Sequence, residues 1–483
     1  MADQSQIILV MVVYLSFLIG WGIWQGRKVK SQKDYAIAGR NLSGWVAALS
    51  ERATGESSWA LLGLPGFAYA AGLTSVWTAV GCVTGIIVAW WLIAFRLQEE
   101  AKKYDVNSFT EFIARRHGAM EKPIRIVSSF MIVFFFFFYV GAQFLGGGKT
   151  LNAMFGMDPA LGMLLTACII VPYTVYGGFR SVVYTDVIQA IVMIVTLILG
   201  PLAGLLYLKN HPGLFAGSLP EALRLAGSSY SSITGGVSGF TAGIAIMGGF
   251  SWFFGYLGGQ PQLSMRFMAI KDKKQAIKAR NVGVIWTVFA YLGALCIGWI
   301  GIAIFGPKGL SDPETVMPKV MLTVFPPAFA AILITGAIAA MISTADSLLI
   351  LSATELSQNI LKQQSRKSLG YARCITAILA VVALLLAYIT PSNLIYTLVG
   401  YVWAGIGGTF SVIILLTLFW KRFHGIAVVI TIISGMLFTI IWISSGMESR
   451  ITARFLTFIV ALIVAVVSTL VLNRKKRHEI TAV

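Results

Sequence analysis

Charge is what this chain has least of. Only 12% of its 483 residues are Asp, Glu, Lys or Arg, while 57% are hydrophobic; a soluble globular domain carries about 25% charged residues. The deficit runs from end to end, which excludes a soluble enzyme with a membrane anchor and predicts an all-α polytopic membrane protein. Cysteine is equally sparse. Cys82, Cys168, Cys296 and Cys374 fall in or beside apolar runs without CxxC spacing, so they read as small core residues and imply neither disulfide nor metal. HExxH and nucleotide fingerprints are absent, so neither enzyme chemistry nor an organic cofactor is expected. Gly146-Gly-Gly-Lys149-Thr150 hints at a phosphate loop, but position 143 is Gln and not the first glycine of that motif.

What the chain has is apolar runs. About thirteen spans follow from hydropathy, over 7–25, 43–71, 74–95, 125–145, 159–178, 184–207, 237–258, 281–305, 325–355, 371–389, 393–419, 424–444 and 452–472. The run Ile7 to Gln25 lacks a basic leading segment and is too long for the core of a cleavable signal, so it is the expected first span. The net charge of +18 does not point to nucleic acid, because the basic residues sit in alternate short loops. Arg27, Lys28, Lys30, Lys33 and Arg40 follow the first span. Further basic clusters lie near 96–124 and 262–280, at Lys362, Arg366 and Lys367, at Lys421 and Arg422, and from Arg474 to Arg477. The positive-inside rule then puts the N-terminus outside and the C-terminus in the cytoplasm, as an odd number of spans requires.

The second span holds residues that hydrocarbon disfavours. Residues 50–66 contain Glu51, Arg52 and Glu56, four hydroxyls, three glycines and Pro65. Each ionised group at the bilayer centre costs about 2.5–3.5 kcal/mol even on a lenient scale, so the segment must face protein, water or an ion. Arg52 and Glu56 stand at i, i+4 and can pair; alternatively Glu56 contacts a cation or a substrate amine. This span is expected to be interrupted at Gly55, Gly63, Pro65 and Gly66. The seventh is expected to be interrupted at Gly248, Gly249, Gly255, Gly258 and Gly259, with Pro261 following. Matching breaks five spans apart point to an inverted-repeat transporter; the bland alternative is close helix packing at glycine.

In the ninth span, Ser343 and Thr344 can present two oxygens to one hard cation, and carbonyls freed by a broken helix can supply the rest. The nearby intramembrane Asp346 favours function over simple bonding of these hydroxyls back to the helix. Asp186, opening the sixth span, either pairs with Arg180 or serves an ion path.

These motifs resemble the sodium/solute symporter family over nearly the whole chain, most closely its proline carriers. The resemblance rests on Ser57, Trp59 and Gly63-Leu-Pro-Gly66; on Tyr176-Gly-Gly-Phe179 with Thr185-Asp186 and Gln189-Ala190; on Gly255-Tyr256 with Gln260-Pro261 and Arg266-Phe-Met-Ala269; and on Ser343-Thr-Ala-Asp-Ser347. It implies a LeuT-like inverted-repeat core of five plus five spans. The first span precedes repeat one (about 43–207) and repeat two (about 237–419), and accessory spans follow at about 424–472. It implies a sodium site made by the carbonyls of Ala53, Glu56 and Ala340 with the hydroxyls of Ser343 and Thr344. Asp186 would match a second sodium in some relatives. Substrate contacts would come from Ser57, Ser58, Trp252, Tyr256 and Pro261.

Two departures fall where substrate should bind. Proline carriers have an aspartate where this chain has Gly55 and a methionine where it has Glu56, so the carboxylate has moved by about 100° around the helix. One glycine, 258 or 259, is extra before Gln260-Pro261. The expectation is sodium-coupled secondary active uptake of a small organic solute, an amino acid such as proline, across the cell membrane by alternating access. Alternatives are another amino acid, a carboxylate or a vitamin as cargo, proton coupling through Glu56, or a membrane sensor that binds solute without moving it.

Overall fold

The computed structural model describes residues 2–29, 37–360, 368–390 and 394–481; Lys30, Lys33, Lys362, Arg366 and Lys367 of the charge pattern lie outside the described residues. Helices dominate because a chain crossing hydrocarbon must satisfy its own backbone donors and acceptors. Among the described residues no β-strand occurs, and a single parallel bridge joins Leu42 to Ile270.

Ten helices are long and apolar enough to cross a membrane, or eleven if the bent pair Gly239–Tyr256 and Pro261–Ala269 is one span. Among the described residues, each of the thirteen expected runs is mostly helical. The numbers differ for two reasons. Gly44–Lys103 forms one 60-residue apolar stretch, far longer than the ~20 residues that cross a bilayer core; it turns at Gly72, whose φ of +60° suits glycine. Pro159–Pro172 is too short by itself and runs on into the helix ending at Asn210, which is broken at Gly178 (φ +63°).

The ninth span, helix Pro327–Thr354, is the axle of the molecule. Its apolar window is 83% buried, against 28% for the first span and 28% for the last. Small residues line it from Gly336 to Ala340, and they let the sixth span approach closely: a Cβ at Gly336 would lie 2.8 Å from Thr196 Oγ1. Close approach is what favours helix pairing in lipid, where the hydrophobic effect adds little between spans.

The second span breaks, though not at a glycine. Helix Gly44–Ser58 is interrupted at Ser57 (φ +48°, ψ −163°), and a widened π-helical turn, Trp59–Gly63, follows before helix Leu64–Ala71. The glycines expected to make the break serve packing instead. A Cβ at Gly63 would sit 3.2 Å from the Tyr396 backbone nitrogen, and one at Gly66 2.8 Å from the Glu314 Cα. Pro65 opens helix Leu64–Ala71 directly after the π-helical turn. The seventh span breaks where expected. It bends by 41° between Tyr256 and Pro261, with Gly258 at φ +76°. Gly259 is required for space, since a Cβ there would lie 2.4 Å from the Gly407 carbonyl oxygen.

Candidate functional site

The break at Ser57 places a non-glycine residue in a left-handed conformation, a strain of order 1–3 kcal/mol that surrounding contacts must hold. They do so from three sides. The Tyr139 hydroxyl donates to Ser57 Oγ (3.3 Å), the Trp59 N–H donates to the same oxygen (3.2 Å), and the Ser58 N–H donates to Gln143 Oε1 (3.1 Å). The fourth span thus replaces helical bonds that the second span gives up. The Glu56 carbonyl accepts from the Trp59 N–H.

On one side of the break lies a hydroxyl and carboxylate cluster. The Thr344 hydroxyl donates to the Thr54 carbonyl (3.1 Å), and the Ser343 hydroxyl donates to Asp186 Oδ1 (2.6 Å). The Ser50 hydroxyl donates to Asp186 Oδ2 (2.5 Å). Arg266, from the half of the seventh span that follows its bend, reaches into this group. Its Nη2 lies 3.1 Å from Asp186 Oδ2, 2.8 Å from Thr54 Oγ1 and 2.6 Å from Ser347 Oγ. Asp186 therefore pairs with Arg266 and not with Arg180, whose guanidinium lies over the Tyr184 ring. The physical reason is burial: Asp186 is 0% exposed, and a buried carboxylate takes the cation that can follow it out of water. Asp346 accepts from the Thr174 hydroxyl on the fifth span.

On the other side lies the charge group of the second span. Arg52 donates Nη1 to Glu56 Oε1 (2.8 Å), the expected i, i+4 pair, and it also forks onto Glu51. Its Nη1 reaches Thr287 of the eighth span (3.1 Å). All three charged groups are buried. Two carboxylates on one guanidinium leave this group short of positive charge, and the second Glu56 oxygen has no hydrogen-bond partner among the described residues.

Aromatic rings close the space beyond the break. Trp59 stacks on Trp252 with centroids 4.4 Å apart and planes at 10°, joining the second and seventh spans. Tyr256 packs edge-on to Trp403 (5.3 Å), and its hydroxyl meets that of Tyr291 (3.1 Å). Trp252 Nε1 donates to the Tyr396 hydroxyl (3.1 Å). Trp252, expected at the substrate site, is thus brought against Trp59, two residues past the break at Ser57, and Tyr256 lies in the same aromatic group through Trp403. Pro261 lies past the bend, in the first turn of helix Pro261–Ala269. Ala53 and Ala340 are both fully buried, on the second and ninth spans.

Several contributors escaped the sequence reading. By sequence Arg266 counts among the basic residues of a loop near 262–280, whereas helix Pro261–Ala269 buries it, because its charge finds Asp186 inside the protein. Ser50, Thr54 and Ser347 stood within the motifs singled out, but their partners, Asp186 and Arg266, were not foreseen. Tyr139, Tyr291, Tyr396 and Trp403 carry no local signature, since each acquires its place from a different span. The Gly146–Lys149 run is helical, and Lys149 pairs with Asp312 (2.8 Å) and Glu314 (2.7 Å). Glu314 in turn accepts the N–H groups of Ile395 and Tyr396 (both 2.9 Å) and so caps the eleventh span.

The sequence model of the Sodium:solute symporter family matches residues 35–435. The chain is 33% identical to the high-affinity proline transporter PutP of Bacillus subtilis (strain 168), over 88% of this chain and 90% of the relative. It is 31% identical to a sodium/proline symporter of Staphylococcus aureus (strain JH9), over 91% and 86% respectively. Among solved structures it is similar to a Na+-coupled sialic acid symporter in a substrate-bound outward-open state, with a TM-score of 0.76, 17% identity, and coverage of 96% of this chain and 98% of that one. That likeness is one of fold, the LeuT-like arrangement of sodium symporters.

Proposed function

Because the chain belongs to the sodium:solute symporter family, and so is a multi-pass membrane carrier coupling a small solute to sodium, we propose that its cargo is proline or a close amino-acid analogue. The relatives at 33% and 31% identity are proline transporters, which supports that choice. Uptake proceeds by alternating access, with the N-terminus outside and repeats at about 43–207 and 237–419.

The observation that carries the ion assignment is the 3.1 Å bond from the Thr344 hydroxyl to the Thr54 carbonyl, one residue beyond Ala53 and just before the break at Ser57. It supports sodium held by the hydroxyls of Ser343 and Thr344 with the carbonyls of Ala53, Glu56 and Ala340. These are hard neutral oxygens of the kind a small cation binds. Asp186 offers a second sodium position when Arg266 swings away. No organic cofactor enters this scheme. Ser57, Ser58, Trp252, Tyr256 and Pro261 would contact the cargo, with the free Glu56 oxygen facing its amine. The Ser58 hydroxyl is buried without a partner among the described residues, which fits a group reserved for a ligand.

One sodium moved down 100 mV supplies about 2.3 kcal/mol, enough for roughly fiftyfold accumulation. Purified protein in liposomes should accumulate labelled proline with an inward sodium gradient and fail with choline in place of sodium. Equal accumulation in both would overturn the coupling, and sodium-driven uptake of other solutes without proline would overturn the cargo.

A further inference from the structure

A cleft opens at one end of the molecule where three segments meet: the turn before the fourth span, the link between the eleventh and twelfth spans, and the end of the thirteenth. Its walls carry Arg116, His117, Lys421, Arg422, His424 and Arg474, and among the described residues no Asp or Glu lines it. Among the described residues Arg116, Lys421, Arg422 and Arg474 form no ion pair. The buried cations Arg52, Lys149 and Arg266, by contrast, all have carboxylate partners. Cations sharing a concave surface repel one another and raise the local potential for an anion.

The surroundings narrow the kind of anion. Trp420 and Leu470 also line the cleft. Leu470 is 53% exposed and Val471 51%, on the outward face of the last span. Basic wall and apolar wall are therefore continuous, which suits a molecule with a charged head and a hydrocarbon tail. The twelfth-span helix, Gly425–Ser444, begins at the cleft with its N-terminal N–H groups there, adding to the attraction for phosphate oxygens. The cleft also lies where the chain keeps its basic residues, the side where anionic lipid gathers.

We propose that this cleft binds the phosphate headgroup of an anionic phospholipid, with an acyl chain along Leu470 and Val471. Arg422 and Arg474 flank the phosphate, Lys421 and Arg116 set the potential, and Trp420 sits at the boundary between headgroup and chain.

The test uses the full chain in nanodiscs of phosphatidylcholine with and without phosphatidylglycerol. Phosphatidylglycerol should raise the melting temperature and remain bound in native mass spectrometry. The Lys421→Gln/Arg422→Gln/Arg474→Gln variant should lose that rise and weaken retention on the order of a hundredfold, at roughly fivefold per cation removed. The milder Lys421→Gln/Arg474→Gln variant keeps the test valid should the triple variant fold poorly. A control variant, Lys271→Gln/Lys273→Gln/Lys274→Gln, should behave as wild type. Equal loss in the control would show a diffuse charge effect and overturn the site. Stabilisation by inorganic phosphate alone, to the same extent, would overturn the lipid and leave a soluble anion.

Discussion

Arg266 and Asp186 face each other at 3.1 Å inside the protein, 80 residues apart in sequence and both buried. Their pairing joins the second half of the seventh span to the sixth, beside the hydroxyls of the ninth. Removing one partner leaves the other charged and unsolvated, at about 3–5 kcal/mol. Asp186→Asn and Arg266→Met should each lower the melting temperature in detergent strongly, and the double variant should recover much of the loss. Additive losses would show that the two side chains act independently.

Ser343→Ala with Thr344→Ala removes two oxygens from the proposed sodium shell and leaves the helix intact. Uptake in liposomes should lose its dependence on the sodium gradient while labelled solute still binds. A sodium activation curve unchanged from wild type would move the ion elsewhere.

Ser57 holds φ +48° against the preference of a residue with a Cβ. Ser57→Gly relieves that strain but forfeits the bonds its hydroxyl accepts from Tyr139 and from the Trp59 N–H, which keeps the Glu56 carbonyl, so its stability should change by less than about 1 kcal/mol. Ser57→Val keeps the strain and adds a branched Cβ. It should cost about 2 kcal/mol or more, read from thermal unfolding.

Glu56→Gln retains the shape at Arg52 and removes a charge. Glu51 still pairs with Arg52, so stability should fall by only about 1–3 kcal/mol. The KM for an amine-bearing solute should rise with the sodium dependence and pH profile preserved. A flattened pH profile would instead mark Glu56 as a proton carrier.

His117 lies before the fourth span, its Nε2 within 3.1 Å of the Thr417 hydroxyl. Burial, helped by the nearby Arg116 and His424, pushes its pKa down to about 4, so the fold prefers the neutral ring. The unfolded chain takes up the proton first, near pH 6.5. Stability is therefore full above that pH and falls as pH drops towards about 4, by about 3 kcal/mol at most. His117→Gln should flatten the melting temperature between pH 6.5 and 4.5.

Much of the site was legible before the fold was known. Glu51, Arg52 and Glu56 stood out because hydrocarbon penalises charge, and Ser343 with Thr344 stood out beside the intramembrane Asp346. The glycines of the second span misled for a physical reason. Glycine signals both a bend and a close approach, and at 63 and 66 the structure uses the second property while Ser57 makes the bend. Arg180 was the sequence neighbour of Asp186, whereas Arg266 is its neighbour in space.

The sequence by itself determined that the chain is a bundle of membrane-spanning helices with two interrupted spans, since the bilayer acts on every residue through local composition. Only the tertiary structure decided the partners: Trp59 on Trp252, Thr344 on Thr54 and Asp186 on Arg266. Each of those contacts joins residues from different spans, and hydropathy along one helix holds no information about which face of another will meet it.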